Sequence, residues 1–262
     1  MYKWVRYASM LGVAGALAMG ITMAGGCASV PSANGAEQQS TGKGTKGSLR
    51  IECSRLISGG ERKVRLSNDK TVTWTHESVA DPQEGDGVSD YIDYYTFVPK
   101  AKGTVGVEIV NYLPWVEIDQ IEDLFWLDVD KGLKMKRREV DPVKQFELVY
   151  DSLEGAKEVI AAKPTQASYL NISCYCEGKD HKRSDERSVN VTPHDVTAVF
   201  VVNGVYGWDK FDEVAADVED GGYFTFKATM ESGKTITAKG DNAFPKGFDS
   251  VRKSLYAFLG GL

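Results

Sequence analysis

From Ser48 to Asp141 the chain is divided by turn signals into runs too short for anything but strands. That spacing constrains the fold more than any other feature. Residues 49–57, 62–67, 71–77, 91–98, 104–113, 123–129 and 133–140 are set apart by clusters such as Ser58-Gly59-Gly60 and Ser67-Asn68-Asp69. Val105, Val107 and Ile109 alternate with period two, and the stretch carries no helical apolar period. Seven short strands in about 95 residues predict a β-sandwich.

Asp141-Pro142 marks a boundary, after which the pattern mixes periods. Residues 146–150 and 165–176 read as strands, 153–162 as a short segment, and the charged 177–187 as an exposed hairpin loop or excursion. Thr192-Pro193-His194-Asp195 spells a helix start: threonine as N-cap, proline in the first position, an acid in the first turn. Val196, Val199, Phe200 and Asn203 then share one face, and Gly204 can end the helix. Residues 223–230 and 235–238 predict a hairpin with Phe224, Phe226, Ala228 and Met230 on one face. Phe248, Val251, Leu255, Phe258 and Leu259 predict a closing helix that packs on that face. The fold class is thus mostly β with an α+β C-terminal part: a sandwich over 48–141 followed by a small α+β domain over 142–262.

The N-terminal end is of another kind. Lys3 and Arg6 precede an uncharged stretch, residues 8–26, and small residues lead to Cys27. Residues 28–47 carry too little apolar bulk to order themselves. As a coil they would reach about 25 Å on average. Ala24-Gly25-Gly26-Cys27, at the end of the uncharged run, resembles the lipobox of bacterial lipoprotein signal peptides. The resemblance implies cleavage before Cys27 and a diacylglyceryl thioether, carrying palmitate-type chains, on its sulfur. Residues 1–26 would be the signal peptide and 27–47 the lipidated cysteine and flexible tether. The partner implied is the membrane, and the place extracytoplasmic. A retained transmembrane helix is the alternative, weakened by Gly12, Gly15, Gly20, Gly25 and Gly26. Cleavage would remove two cations and no acid, taking the net charge from −6 to −8 over the 236 residues left.

An acidic chain argues against nucleic acid as a partner. Its one basic run, 134–138, alternates along a predicted strand and reads as a solvated face. Cys53 shares a strand face with Leu49 and Ile51, and Cys174 and Cys176 share one with Leu170 and Ile172. Buried free thiols are the first reading of all three. A bridge from Cys53 to one of the pair, or metal ligation, stays open. His76, His181 and His194 have no ligand at metal spacing, and no nucleophile elbow or phosphate loop occurs. Asp81, Glu84, Asp86 and Asp90 could gather oxygens for calcium, whereas Asp217, Glu219 and Asp220 lack the acid that completes an EF-hand. No cofactor is implied and no catalytic residue is assigned.

Phe97, Gly103-Thr104, the strand 105–112 and Leu113-Pro114-Trp115 resemble the late part of the chagasin-type inhibitors of cysteine proteases. That family implies an Ig-like sandwich whose Arg-Pro-Trp loop helps fill a protease cleft, with Leu113 here in the arginine position. Leu113, Pro114 and Trp115 are therefore the candidate partner-binding loop. Trp208, Asp220-Gly221, Phe224, Gly233 and Asn242-Ala243-Phe244-Pro245 resemble a module of uncharacterised bacterial lipoproteins. The expected function is that of a lipid-anchored, non-catalytic binding or structural module with a protein or polymer ligand. Inhibition of cysteine proteases and a carboxylate-dependent hydrolase are the alternatives.

Overall fold

The computed structural model describes residues 47–55, 60–80, 91–114, 118–152, 156–178, 182–215 and 222–260. The chain divides at Asp141 into two compact units, each with its own core. It is β-rich throughout, with two helices in the second unit.

In the N-terminal unit, β1 (Leu49–Arg55), β4 (Tyr91–Pro99) and β3 (Val72–Ala80) form a three-stranded sheet in the order β1-β4-β3. A four-stranded sheet runs β2 (Glu61–Leu66), β5 (Gly103–Leu113), β6 (Ile118–Val129), β7 (Met135–Glu139). Every pairing in both is antiparallel. Alternation decides what is buried. Ile51, Cys53, Val72, Tyr95 and Phe97 from the first sheet join Val105, Val107, Ile109, Phe125, Leu127 and Val129 from the second in one apolar cluster. Of the adjacent tyrosines, Tyr95 is fully buried, and Tyr94 faces the other way with the Arg50 guanidinium 3.8 Å above its ring.

Strand β6 starts earlier than the sequence predicts and breaks period. Ile109 pairs with Asp123 but Val110 pairs with Ile121, so Glu122 is an extra residue in a β-bulge, a device that re-aims side chains. The basic run alternates as expected, with Lys134, Lys136 and Arg138 exposed, and its two arginines are also paired. Arg137 donates to both oxygens of Asp123 at 2.7 and 3.0 Å, and Arg138 holds Asp128 from Nε at 2.8 Å. Pairing of β7 with β6 places those cations beside carboxylates that the basic run by itself does not reveal.

The C-terminal unit holds β8 (Val143–Ser152), β9 (Lys157–Pro164), β10 (Leu170–Glu177), β11 (Arg183–Val191), β12 (Phe211–Val214), β13 (Gly222–Met230) and β14 (Thr235–Asp241). They form one seven-stranded sheet in the order β11-β10-β9-β8-β13-β14-β12, in which only β12 and β14 run parallel. The charged segment after Glu177 is thus largely strand β11 and not a loop. Its residues 183–188 are exposed on both faces of a sheet edge, so no apolar alternation betrays it.

Helix α1 (Pro193–Val202) starts as predicted. Thr192 Oγ1 accepts from the Asp195 amide at 3.1 Å, and the Thr192 amide donates to the Asp195 carboxylate at 3.1 Å, a reciprocal cap. The helix is not one-faced, however: every residue from Val196 to Val201 is buried. Helix α2 (Phe248–Phe258) sends Phe248, Val251 and Leu255 into the cluster that holds Phe224, Phe226, Ala228 and Met230. Trp208 plugs the same core, its indole N–H donating to the Lys246 carbonyl at 3.1 Å. Gly240 permits the corner that follows, since a Cβ there would lie 2.0 Å from the Ala243 carbonyl oxygen. Phe244 can then fold against Phe224 and Phe248, at 5.6 and 4.8 Å between centroids.

Candidate functional site

Leu113 ends β5 half-buried and Pro114 follows exposed, the proline closing the strand because it has no N–H to offer. Trp115 lies outside the described residues, as do Cys27, His181 and both acidic loops over 81–90 and 217–220. The surroundings of the turn are more telling than its tip. Within a few register positions, where Arg62 pairs with Asn111 and Leu113 with Ile118, the two sheets enclose a charged cluster.

Arg62 stands in phase with inward Val64 and Leu66, and Asp93 in phase with Tyr95 and Phe97, so both project between the sheets. Their side chains are 3 % and 0 % exposed. Arg62 Nε donates to Asp93 Oδ2 at 2.9 Å, and its Nη1 meets the Glu122 carboxylate that the bulge supplies. Asp93 Oδ1 also takes His76 Nε2 at 2.9 Å and the Ser78 hydroxyl. The His76 ring stacks on Tyr95, 4.9 Å between centroids. Buried charges cost several kcal/mol each unless paired, and one guanidinium here compensates two carboxylates on opposing sheets. Asn111, 9 % exposed, is the strand-register partner of Arg62, and Gly60 leaves room for its amide: a Cβ there would lie 1.7 Å from Oδ1.

Serine, histidine and aspartate meet here, yet not as a catalytic relay. A relay needs the acid on one imidazole nitrogen and the hydroxyl on the other. Asp93 and Ser78 both address Nε2 of His76, Ser78 at 3.4 Å. Asp93 and Glu122 do not face each other across open space, because the Arg62 guanidinium bonds to both. What the arrangement does is join the two sheets near Pro114, the exposed residue that follows β5.

A second polar locality lies in the C-terminal unit. Cys174, Cys176, Asp185, Arg187 and Tyr256 line a cavity of about 210 Å³. The register of β10 against β11 slips between Cys174 and Cys176, at Asp185, whose φ of 53° marks the extra residue. Cys174 Sγ donates to the Tyr256 hydroxyl at 3.4 Å, Tyr256 bonds to Glu158 in turn, and Arg252 grips that carboxylate at 3.1 and 2.6 Å. Burial pushes both thiols above the usual cysteine range. Tyr256 is raised far above the ordinary phenol value, first by burial and then by its bonds to Cys174 and Glu158.

Two expectations about the cysteines need correction. Cys176 is half-buried at the cavity and not a core residue like Cys174. Cys174 and Cys176 are both free, so a bridge from Cys53 to one of them is not formed. The inward phase of Cys53 was legible, but a strand face says nothing about what else reaches the sulfur.

No protein-family model matches the chain, and no curated protein matches it in sequence. Among the described residues no helix is long and apolar enough to cross a membrane, and no three His, Cys, Asp or Glu side chains are grouped to hold a metal ion. The charged cluster escapes a search for motifs because its members span sixty positions. The available signal was a charge in the inward phase of an apolar strand, at Arg62 and again at Asp93.

Proposed function

We propose that the protein is a lipid-anchored component of a bacterial cell envelope and a non-catalytic binding module. In this reading the N-terminal unit is an Ig-like β-sandwich that presents the turn at Leu113, Pro114 and Trp115 to a protein or polymer ligand. The observation that carries the anchoring is the uncharged stretch 8–26 ending in Ala24-Gly25-Gly26-Cys27. The role of the turn is supported by its base. Pro114 is exposed where β5 ends, and the strands beside it carry the buried Arg62–Asp93–Glu122 clamp; a turn held from its base would lower the ordering cost of binding.

Metabolic labelling with a fatty acid in a bacterial host tests the anchor. The chain incorporates label, and Cys27→Ala remains an unlabelled precursor. Label that persists in the variant, or none in the parent, overturns the assignment. Assay against a papain-type protease separates the turn's readings. Inhibition lost on Trp115→Ala would make the module an inhibitor, and absence of inhibition leaves a binding module of another ligand.

A further inference from the structure

Beyond the anchoring and binding roles, we infer that Cys174 and Cys176 form a dithiol site for a two-coordinate soft metal ion, Cu(I), at the mouth of the cavity in the C-terminal unit. The two thiols are free, lie two residues apart on one face of β10, and line the same cavity.

The geometry separates this from a redox disulfide. Pairing with β9 is regular through Cys174–Ile160, Tyr175–Val159 and Cys176–Glu158, so β10 is extended there. Strand residues two apart stand about 6.6 Å from each other, with nearly parallel Cα–Cβ bonds. A disulfide needs Cβ atoms at about 3.5–4.5 Å, which the extended strand does not allow. Metal–sulfur bonds of about 2.3 Å each let a bound ion span roughly twice that distance between sulfurs. With no third His, Cys, Asp or Glu grouped for ligation among the described residues, the pair suits an ion content with two ligands. Thiolate pairs select Cu(I) over harder ions.

The surroundings supply the rest. Binding releases one proton from each thiol to solvent and leaves a bis-thiolate complex of charge −1. Arg187 lines the cavity and the Arg252 guanidinium is close enough to favour the charged form of Cys176, so positive charge faces the complex from β11 and α2. Glu158 faces it from β9, already neutralised by Arg252, and Asp185 faces it from the β11 bulge. Tyr256 holds the Cys174 sulfur from α2 as an outer partner.

The test is anaerobic titration of the full chain with Cu(I) against a chromogenic chelator, with Cys174→Ser, Cys176→Ser and the double variant. One ion binds per site in the parent. Each single variant loses more than about 100-fold, exceeding the 10–100-fold typical of an outer partner, and Tyr256→Phe falls within that smaller range. Cu(I) uptake by the double variant equal to the parent, or single variants that bind as the parent does, overturns the proposal. So does a Cys174–Cys176 disulfide in the untreated parent, found by mapping its peptides without reduction. Should the variants fail to fold, alkylation of the parent decides: one equivalent of Cu(I) shields both Cys174 and Cys176 from iodoacetamide, and reaction at an unchanged rate sinks the idea.

Discussion

The two units solve the same packing problem with opposite chemistry. The N-terminal unit adds charge to its apolar core: Arg62, Asp93 and Glu122 meet between two sheets that also share the cluster around Phe97 and Phe125. The C-terminal unit closes with rings. Phe146, Phe200, Phe226, Trp208 and Phe248 form a continuous aromatic path, with successive centroids at 5.3, 5.6, 5.3 and 6.0 Å. Apolar packing is tolerant, since neighbours shift to fill part of a gap. A charged clamp is not, because it leaves a partner stranded if one member is lost. The unit whose turn is proposed for recognition is therefore the one with the less forgiving core.

The largest expected effect tests that intolerance. Arg62→Met keeps the bulk of the side chain and leaves Asp93 and Glu122 buried without their cation, which should cost about 3–5 kcal/mol. Denaturant unfolding gives the size, and hydrogen exchange should lose protection in β2, β4 and β6. Replacing all three with apolar residues should return most of the loss. If Arg62→Met is as mild as a surface change, the clamp is not what joins the sheets and the comparison fails.

Leu255→Ala is the counterpart in the aromatic unit. Leu255 is fully buried beneath the β13–β14 hairpin, and truncation should cost about 2–5 kcal/mol, depending on how far the rings relax into the space. Here Leu255→Met should be nearly silent, below about 1.5 kcal/mol. The same unit should thus forgive a change of shape that the charged centre, with its fixed hydrogen-bond directions, does not.

How much of this was legible follows the same division. Apolar alternation exposed β4, β5 and β13, and the spacing of Phe248, Val251 and Leu255 exposed α2, because water removal imposes a period on sequence. Strand β11 was hidden, its residues 183–188 facing solvent on both sides; so was β12, four residues long with Asp212, Glu213 and Val214 exposed at the opposite sheet edge. Neither bears the burial pattern that period-two reading requires. The clamp was hidden for a different reason. Arg62, His76, Asp93 and Glu122 become neighbours only through sheet pairing and a bulge, and single-chain spacing does not encode either.

Thr192→Ala probes the seam of helix α1, an element whose start was read correctly from four residues. It removes the hydroxyl that caps the Asp195 amide and should cost about 1 kcal/mol, seen as a lower unfolding midpoint with an unchanged slope. Thr192→Ser should restore most of it. Loss above about 3 kcal/mol would mean that the hydroxyl does more than cap, and loss of nothing would mean that water caps the helix as well.

The smallest effect comes from a charge pair that is not buried, and it marks the lower end of the comparison with Arg62. Asp128 is bound by Arg138 at 2.8 Å and by the Thr104 hydroxyl at 2.7 Å, with the paired side chains 36 % and 52 % exposed. The Arg138 guanidinium first, and the Thr104 hydroxyl after it, hold the Asp128 carboxyl below the usual aspartate range. A depressed folded-state value means that the unfolded chain takes up the proton first. The contribution is therefore complete above the unfolded value of about 3.9 and fades as pH falls through the folded one. Solvent screens so exposed a pair, so Asp128→Asn should lower stability by less than about 1 kcal/mol at pH 7, and less again in high salt. Well below that folded value the parent and variant should unfold at the same denaturant concentration. A difference that survives acid would place the effect outside the charge, and outside the Thr104 hydrogen bond too, since an asparagine carbonyl can also accept it.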